Sequence, residues 1–432
     1  MPSPRPALFT AVALATSAAL PLSAADPLFA GAASSPHWLA VTNPDGGSAA
    51  AQDAFASALA VDGDTLLVGA PLDDAPGAND AGAAFVFVRQ AGQWQFQAKL
   101  VPADRAAAAQ FGHAVALSGD TALVSAWKHN TAAGSGAGAA YAFVRSGGVW
   151  TQQARLLAAD GATGDAFGDA VALLGDTAVV GASGDDSESV INHGSAYVFQ
   201  RSGNTWALQA KLLAGDPSDL AAFGSAVALG AEDVLVGAPD ADNRGAVYAY
   251  TRTGGLAYAG KLVPAASAAF DRFGAALALS GTRFLAGAPQ RDVAGFADAG
   301  SAFIFVRSGG GWQEEAELRA ADAAINAHLG SAVALSPAGA LLGAPNDDAG
   351  TCCDTGAVYA FQASGAHWRQ VDKQVPAGSA TYDTLGGAVA LSGSAGVAGA
   401  AGAKYTAGRT QRQWPRDERH IVVAERLPRG CA

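Results

Sequence analysis

The sequence predicts an all-β fold: a seven-bladed β-propeller of four-stranded antiparallel blades, closed by an N-terminal strand pairing into the last blade. Three observations predict it. A hairpin pattern returns seven times at a nearly fixed period, third- and fourth-strand patterns follow the copies at set distances, and no helical periodicity intervenes. The hairpin is clearest at residues 167–183. There Ala170-Val171-Ala172-Leu173 and Ala178-Val179-Val180 flank the turn Gly175-Asp176, the short-range signal for two strands joined tightly.

The hairpins open at Phe55, Phe111, Phe167, Phe223, Phe273, Leu329 and Leu385, in steps of 56, 56, 56, 50, 56 and 56 residues. Each closes 14 residues further on, at Gly69, Ser125, Gly181, Gly237, Gly287, Gly343 and Gly399. A third strand begins after Gly82, Gly138, Gly194, Gly245, Gly300 and Gly356, with patterns such as Ala-Tyr-Val-Phe. Trp94, Trp150, Trp206, Trp312 and Trp368 open a fourth, with Leu256 in that place in the shortened copy. That copy loses five residues from the loop before Gly245 and one from the turn before Leu256, so the deletions are confined to loops. The first strand alternates small and larger side chains, as in Ala114-Val-Ala-Leu117, which suits the crowded axis of a radial array. Phe, Tyr and Trp fall on the outer strands, where diverging blades leave room to fill. The Gly after each Phe answers a need for positive φ or a close backbone approach.

The pairing of Phe223-Gly224 with Gly237-Ala238-Pro239, and of Phe273-Gly274 with Gly287-Ala288-Pro289, resembles the FG-GAP repeats of the integrin alpha-subunit propeller and its bacterial relatives. The resemblance runs from about residue 38 to residue 402. It implies a propeller whose loop-rich face is where partners dock. Several integrin blades carry an Asp-x-Asp-x-Asp-Gly calcium loop in the first hairpin. Here that place holds tight turns such as Ser118-Gly-Asp-Thr121 and Leu174-Gly-Asp-Thr177, too short to supply calcium's several oxygen ligands, so the resemblance does not imply calcium.

From the N-terminus, Met1-Pro-Ser-Pro-Arg5, an apolar run over residues 7–20, and small residues before a cut near Ala24 or Ala25 read as a secretory signal peptide over 1–25. The expectation is an exported protein: secreted, periplasmic or held at the cell surface. The chain is half hydrophobic, yet past the leader no segment reaches the roughly 18 unbroken apolar residues of a membrane span. Trp38 precedes Phe55 by 17 residues, as Trp94 precedes Phe111, so residues 38–42 read as a fourth strand without its own blade. The seventh copy lacks a Trp strand, and the two deficits cancel if the first strand completes the last blade.

The propeller is expected over 26–403 and a basic, atypical tail over 404–432. Residues 404–430 hold seven Lys or Arg against three acids, in a chain of net charge −12. The change reads as a degenerate or frame-shifted terminus, or as a basic extension with its own partner. Ile421-Val-Val-Ala424 can also supply the missing third strand.

Chain direction through four antiparallel strands sorts the connections onto two faces. Hairpin turns share one, with Arg89, Arg145, Arg201, Arg252 and Arg307. The long loops share the other, with Asp73, Asp74, Asp80, Asp104, Asp160, Asp185, Asp186, Asp216, Asp240, Asp242, Asp292, Asp347 and Asp348. The molecule is expected to be electrically polar across its thickness. Asp73, Asp74, Asp185, Asp186, Asp240, Asp242, Asn243, Asp347 and Asp348 are the candidate binding residues; the ordinary alternative is that each Asp forms a turn and solubilises it.

Asp240-Ala-Asp242-Asn243-Arg-Gly245 is a weak calcium candidate, because it alternates oxygen donors but lacks a closing bidentate acid. No other cofactor is expected. Cys352, Cys353 and Cys431 are disulfide candidates, and three cysteines leave one over in a monomer. No spacing suits zinc. The seven His do not repeat with the blades; His113 can line the axial channel and act as a base beside a nearby Asp, although a channel His is more often structural. The acidity of the chain argues against nucleic acid.

The expected function is a monomeric, exported, non-catalytic binding or adhesion module that recognises protein or glycan through an acidic loop face. The rivals are a hydrolase or lyase with its site on the propeller axis, and a structural component of a cell-envelope assembly.

Overall fold

A computed structural model describes residues 37–42, 44, 53–186, 190–348, 354–375, 383–393, 395–401 and 420–425. The leader over 1–25 and the three cysteines lie outside the described residues. Among those residues every regular element is a β-strand, apart from one 3-10 turn at Ala241–Asn243.

The fold is a β-propeller of four-stranded antiparallel blades. Blade 1 is Ala58–Asp62, Thr65–Ala70, Ala83–Gln90 and Gln93–Leu100. Blade 2 is Phe111–Ser118, Thr121–Ala126, Ala139–Ser146 and Val149–Leu156. Blade 3 is Phe167–Leu174, Thr177–Ala182, Ser195–Ser202 and Thr205–Leu212. Blade 4 is Ala226–Leu229, Asp233–Ala238, Ala246–Thr251 and Ala257–Leu262. Blade 5 is Leu277–Ser280, Arg283–Ala288, Ser301–Ser308 and Gly311–Leu318. Blade 6 is Ala332–Ser336, Gly339–Ala344, Ala357–Ser364 and His367–Gln374.

Six blades, not seven, are therefore built from four consecutive strands, because the seventh hairpin has no third and fourth strand directly after it. A further sheet is a composite of the two chain ends. Leu385–Ser392 pairs with Ala395–Ala400, which pairs with His420–Glu425, which pairs with His37–Thr42. The N-terminal strand thus takes the edge position expected of it, and Ile421-Val-Val-Ala424 lies in the strand beside it.

First strands of neighbouring blades pack against one another, which places them nearest the axis, and the cores lie in the seams between blades. One seam joins Leu67, Ala84 and Val86 of blade 1 to Ala122, Val124, Phe111 and Tyr141 of blade 2. The Phe111 ring meets Tyr141 and Phe143 edge-on, with centroids 5.5 and 6.0 Å away. Burying such a ring contributes about 1.5–3 kcal/mol per blade.

The two halves of the repeat motif are a backbone joint between blades. Phe111 N–H donates to Ala81 O (3.0 Å), and Gly82 bridges Phe111 in parallel; the same bridge recurs from Gly138 to Phe167, Gly194 to Phe223, Gly245 to Phe273, Gly300 to Leu329 and Gly356 to Leu385. Gly112 adopts φ +95°, and a Cβ there would run into Ala83 O. A Cβ on Gly69 would run into Gly112 O, so both glycines are required by the same close approach. Blade 2 carries Ser125 instead; that seam is wider, since a Cβ on the facing Gly168 would stand 2.9 Å from Ala139 O. Across the composite sheet, a Cβ on Gly399 would strike Ala56 O, and Gly63 N–H donates to Ser392 Oγ (3.1 Å), so that sheet adjoins blade 1.

At the outer rim, each of the six blades has a register shift between its third and fourth strands, as at Val86/Phe87 and Ala142/Phe143. Such a bulge re-aims a side chain. Gln97 and Gln153, which the shifts leave unpaired, accept from the indole N–H of Trp150 (2.8 Å) and Trp206 (2.9 Å) in the next blade.

Candidate functional site

The turn face is a lattice of paired charges. Arg145 Nε donates to Asp120 (2.6 Å) in its own blade's hairpin turn and Nη1 to Thr65 Oγ1 (3.1 Å) of the preceding blade, while its guanidinium lies 5.1 Å from the Trp150 ring. Arg201 repeats this with Asp176 (2.6 Å), Thr121 (2.9 Å) and Trp206 (5.3 Å). Arg89 pairs with Asp64, and Arg307 with Asp233. Of the Arg residues expected to make this face positive, Arg89, Arg145 and Arg201 are thus paired with acids of their own hairpin turns and Arg307 with an acid of the preceding blade, whereas Arg252 donates to Gly230 O (2.6 Å) and Thr177 Oγ1 (2.7 Å). The charge separation expected across the thickness is reduced accordingly.

On the loop face the paired Asp residues divide into two roles. The residue four places after the closing Gly is buried: Asp73, Asp185 and Asp347, with His129, Ala241 and Arg291 in the other blades. Lys99 Nζ contacts Asp73 (2.9 Å), Lys211 contacts Asp185 (2.7 Å) and Lys373 contacts Asp347 (3.0 Å), each Lys 26 residues beyond its Asp on the fourth strand. Arg105 also reaches Asp73 (2.8 Å). Tyr197 and Ser195 donate to Asp185, and Tyr359 donates to Asp347 (2.6 Å).

The next residue is exposed and closes its loop. Asp74 Oδ1 accepts from Asp80 N–H (2.8 Å), Asp186 from Asn192 (2.5 Å), Asp292 from Asp298 (3.0 Å) and Asp348 from Asp354 (2.9 Å), always six residues on. Asn130 does the same for Gly136 (2.9 Å).

A third acid comes from the linker between blades. Asp160 accepts from Lys211 (2.8 Å) and Tyr197 (2.7 Å), Asp216 from Lys261 (2.7 Å) and Tyr248 (2.8 Å), and Asp322 from Lys373 (2.7 Å). Asp104 pairs with Arg155 (2.5 Å). Burial acts to raise these four carboxyls, but the hydrogen bonds from Lys, Arg and Tyr outweigh it and hold all four below the usual range. Burial acts to lower the Lys211, Lys261 and Lys373 ammonium groups, yet the carboxylates around them push them up.

Blade 5 inverts the cluster. Arg291 occupies the buried Asp position and Glu317 the Lys position, 26 residues apart and joined at 2.8 Å; Arg291 also donates to Asp271 (2.7 Å). The pair thus recurs in blades 1, 3, 5 and 6 independent of which partner is acidic, while blades 2 and 4 place His129 and Ala241 at the buried position. The Lys partners escaped the sequence reading, although their own 26-residue offset from each Asp was present as a signal.

Asp240, Asp242 and Asn243 do not converge on one point. Asp240 takes both Arg272 N–H groups (3.0 and 2.9 Å), whereas Asp242 takes Lys261 (2.6 Å). Asp242 and Asn243 have φ of 52° and 58°, as the tight turn before Gly245 demands. A calcium ion there would have to displace both cations.

At the loop-face end of the axis, His113 Nε2 lies 3.3 Å from Asp169 Oδ1, the carboxylate at the corresponding position of the next blade. Ser183 Oγ donates to the other oxygen of Asp169 (2.5 Å), and the imidazole stacks on Trp127 at 4.8 Å. The base and nearby Asp anticipated from the sequence are therefore brought together.

Four large apolar side chains stand exposed among the acids of this face. Of the five described large apolar residues that are at least 60% exposed, Ile191, Leu220, Phe270 and Ile325 all stand here, in loops or linkers of blades 3 to 6, and only Val149 lies at a hairpin turn. No signal in the repeat pattern marks them, because they fall where the copies differ.

Radially packed sheets joined by a repeated backbone joint, with one face locked and one built of variable loops, define a repeat β-propeller. The FG-GAP repeat family model matches residues 44–87, 94–143, 150–199, 206–250, 258–305 and 312–361, and the chain belongs to that family. No curated protein matches it. Among the described residues, no helix is long and apolar enough to cross a membrane.

Proposed function

We propose that the protein is an exported binding propeller, with the composite sheet as its seventh blade, and that its loop face recognises a protein or glycan partner at the cell surface. One observation carries this reading. The six repeats share their strands, five of them a turn-face Arg and four a buried ion pair, but they differ at the loop tips, where the fold does not dictate the side chain. The buried Asp73, Asp185 and Asp347 make the platform rigid. The exposed Asp74, Asp186, Asp292 and Asp348 lend the face its acidity while capping their loops. Rigid loops bind with less ordering cost than mobile ones.

Photo-crosslinking residues placed one at a time at Asn79, Ala297 and Asn326 on the loop face, and at Gln90, Gly148 and Gly203 on the turn face, test it in the producing cells. Adducts confined to the loop-face positions are expected. Adducts from the turn face alone, or none from the loop face, would contradict the reading.

The axial alternative draws on the His113–Asp169 pair. The nearby Ser183 hydroxyl is committed to Asp169 and not to His113, so it is not activated as a nucleophile by the imidazole.

A further inference from the structure

We propose that Leu220 and Phe270 anchor a contact surface, spanning three consecutive blade junctions of the loop face, for a protein segment that combines apolar and basic side chains. This inference rests on the loop face being the binding face. Leu220 and Phe270 have φ of 58° and 69°, in the left-handed region where a bulky side chain is an outlier. The corresponding positions of other linkers hold Ala108, Gly164 and Asn326, residues small or suited to that conformation. Glycine would satisfy the backbone with less strain, and neither side chain is used for packing, because Leu220 is 60% and Phe270 70% exposed. Strain combined with exposure points to a role in contact and not in folding.

Each anchor is fixed in place. Leu220 N–H donates to Ile191 O (2.8 Å), which sets two exposed aliphatic residues side by side where blade 3 meets blade 4. Phe270 N–H donates to Asn243 O (2.5 Å) at the next junction. At the third, Asn326 N–H donates to Ala297 O (2.9 Å) and brings Ile325 near Phe296. Scattered apolar residues are ordinary on a surface, whereas this series runs along one arc. Its border is acidic at the first and third junctions, where Asp219 accepts from Ile191 N–H (3.0 Å) and Asp186, Asp292 and Asp298 stand on the same loops; at the middle one Asp240 and Asp242 are offset by Arg272 and Lys261, with Arg244 exposed beside them. With a chain charge of −12, that border repels an anionic lipid surface or an acidic segment and favours Lys or Arg on the partner.

The test uses the full chain, Leu220→Gly, Phe270→Gly and the double variant, with Val149→Ser as a turn-face control. The probes are two fluorescent 15-residue peptide pools, one of Leu, Phe, Lys and Arg and one of Leu, Phe, Asp and Glu, together with phosphatidylcholine vesicles with and without phosphatidylglycerol. The basic pool should bind, the double variant should weaken it at least tenfold, and the control should leave it unchanged, with thermal midpoints of the glycine variants equal to or above that of the parent. Failure of the basic pool to bind, equal binding by the double variant, preference for the acidic pool or for vesicles, or self-association that depends on the two residues would each overturn the inference. If loop-face crosslinks persist while the double variant binds normally, this inference fails and the wider reading stands; crosslinks from the turn face would sink both.

Discussion

Replacing Lys211 with Met should destabilise the protein by about 2–3 kcal/mol. The Lys211 ammonium lies 2.7 Å from Asp185 and 2.8 Å from Asp160, and Asp185 is 5% exposed. Removing one partner of a buried pair costs about 3–5 kcal/mol, because the remaining charge stays desolvated. The Lys211 side chain is 26% exposed and Asp160 53%, so water relieves part of that loss and the lower range follows. Tyr197 and Ser195 still donate to Asp185, which keeps the variant folded. Blade 5 supplies the control: Asp185→Arg, Tyr197→Phe and Lys211→Glu together copy its Arg291, Phe303 and Glu317. Urea unfolding followed by tryptophan fluorescence should show this triple variant recovering at least half of the loss. A cost for Lys211→Met within about 0.5 kcal/mol of zero, the range of ordinary surface changes, or a triple variant no better than the single one, would refute the reasoning.

Three further outcomes are expected. Asp104, Asp160, Asp216, Asp322 and Glu317 are held below their usual range, so the stability they contribute is full above the unfolded carboxyl values near pH 4 and is lost as pH falls through the lower folded values. Burial lowers His129, so loss begins below about pH 6.5, while Asp165, raised by burial, opposes it weakly; thermal midpoints from pH 3 to 9 will show a plateau above neutrality and a decline below it. Gly237→Ala should cost about 1–3 kcal/mol, because its Cβ meets the Gly274 backbone carbonyl and no side chain can move aside, and the urea midpoint will drop accordingly. Trp206→Phe keeps an aromatic, though smaller, side chain and loses the hydrogen bond to Gln153 (2.9 Å), a change of about 1 kcal/mol measurable by the same denaturation.

Much of the fold was legible because a ring of similar blades repeats its constraints. Phe111, Gly112 and Gly69 serve one backbone joint, and the joint recurs with each copy, so its residues recur too. The composite sheet was legible only in part: Trp38 kept the spacing of a fourth strand, whereas the third strand at His420–Glu425 carries none of the aromatic pattern of its equivalents. The bulges were hidden, since a register shift leaves no residue type that must appear; Gln97, Gln153 and Val371 all occupy that place. At the loop face, sequence located the Asp pairs but not their division of labour. Asp73 and Asp74 look alike in a string, yet one faces Lys99 inside and the other caps a loop outside. The charge contrast between faces is weakened for a related reason, because Asp120 and Asp176 are hairpin-turn residues with Arg partners 25 positions away. Leu220 and Phe270 do not stand out in the sequence because what sets them apart, a positive φ, lies in backbone conformation.

Hydrogen exchange of the protein with and without the pool of apolar and basic peptides tests the central claim most directly. Protection is predicted in the segments around Ile191, Leu220, Phe270, Ala297 and Ile325, with the hairpin turns at Asp120, Asp176 and Thr282 unchanged. Protection concentrated at those turns, with the loop tips exchanging as in the free protein, would contradict a loop-face binding propeller.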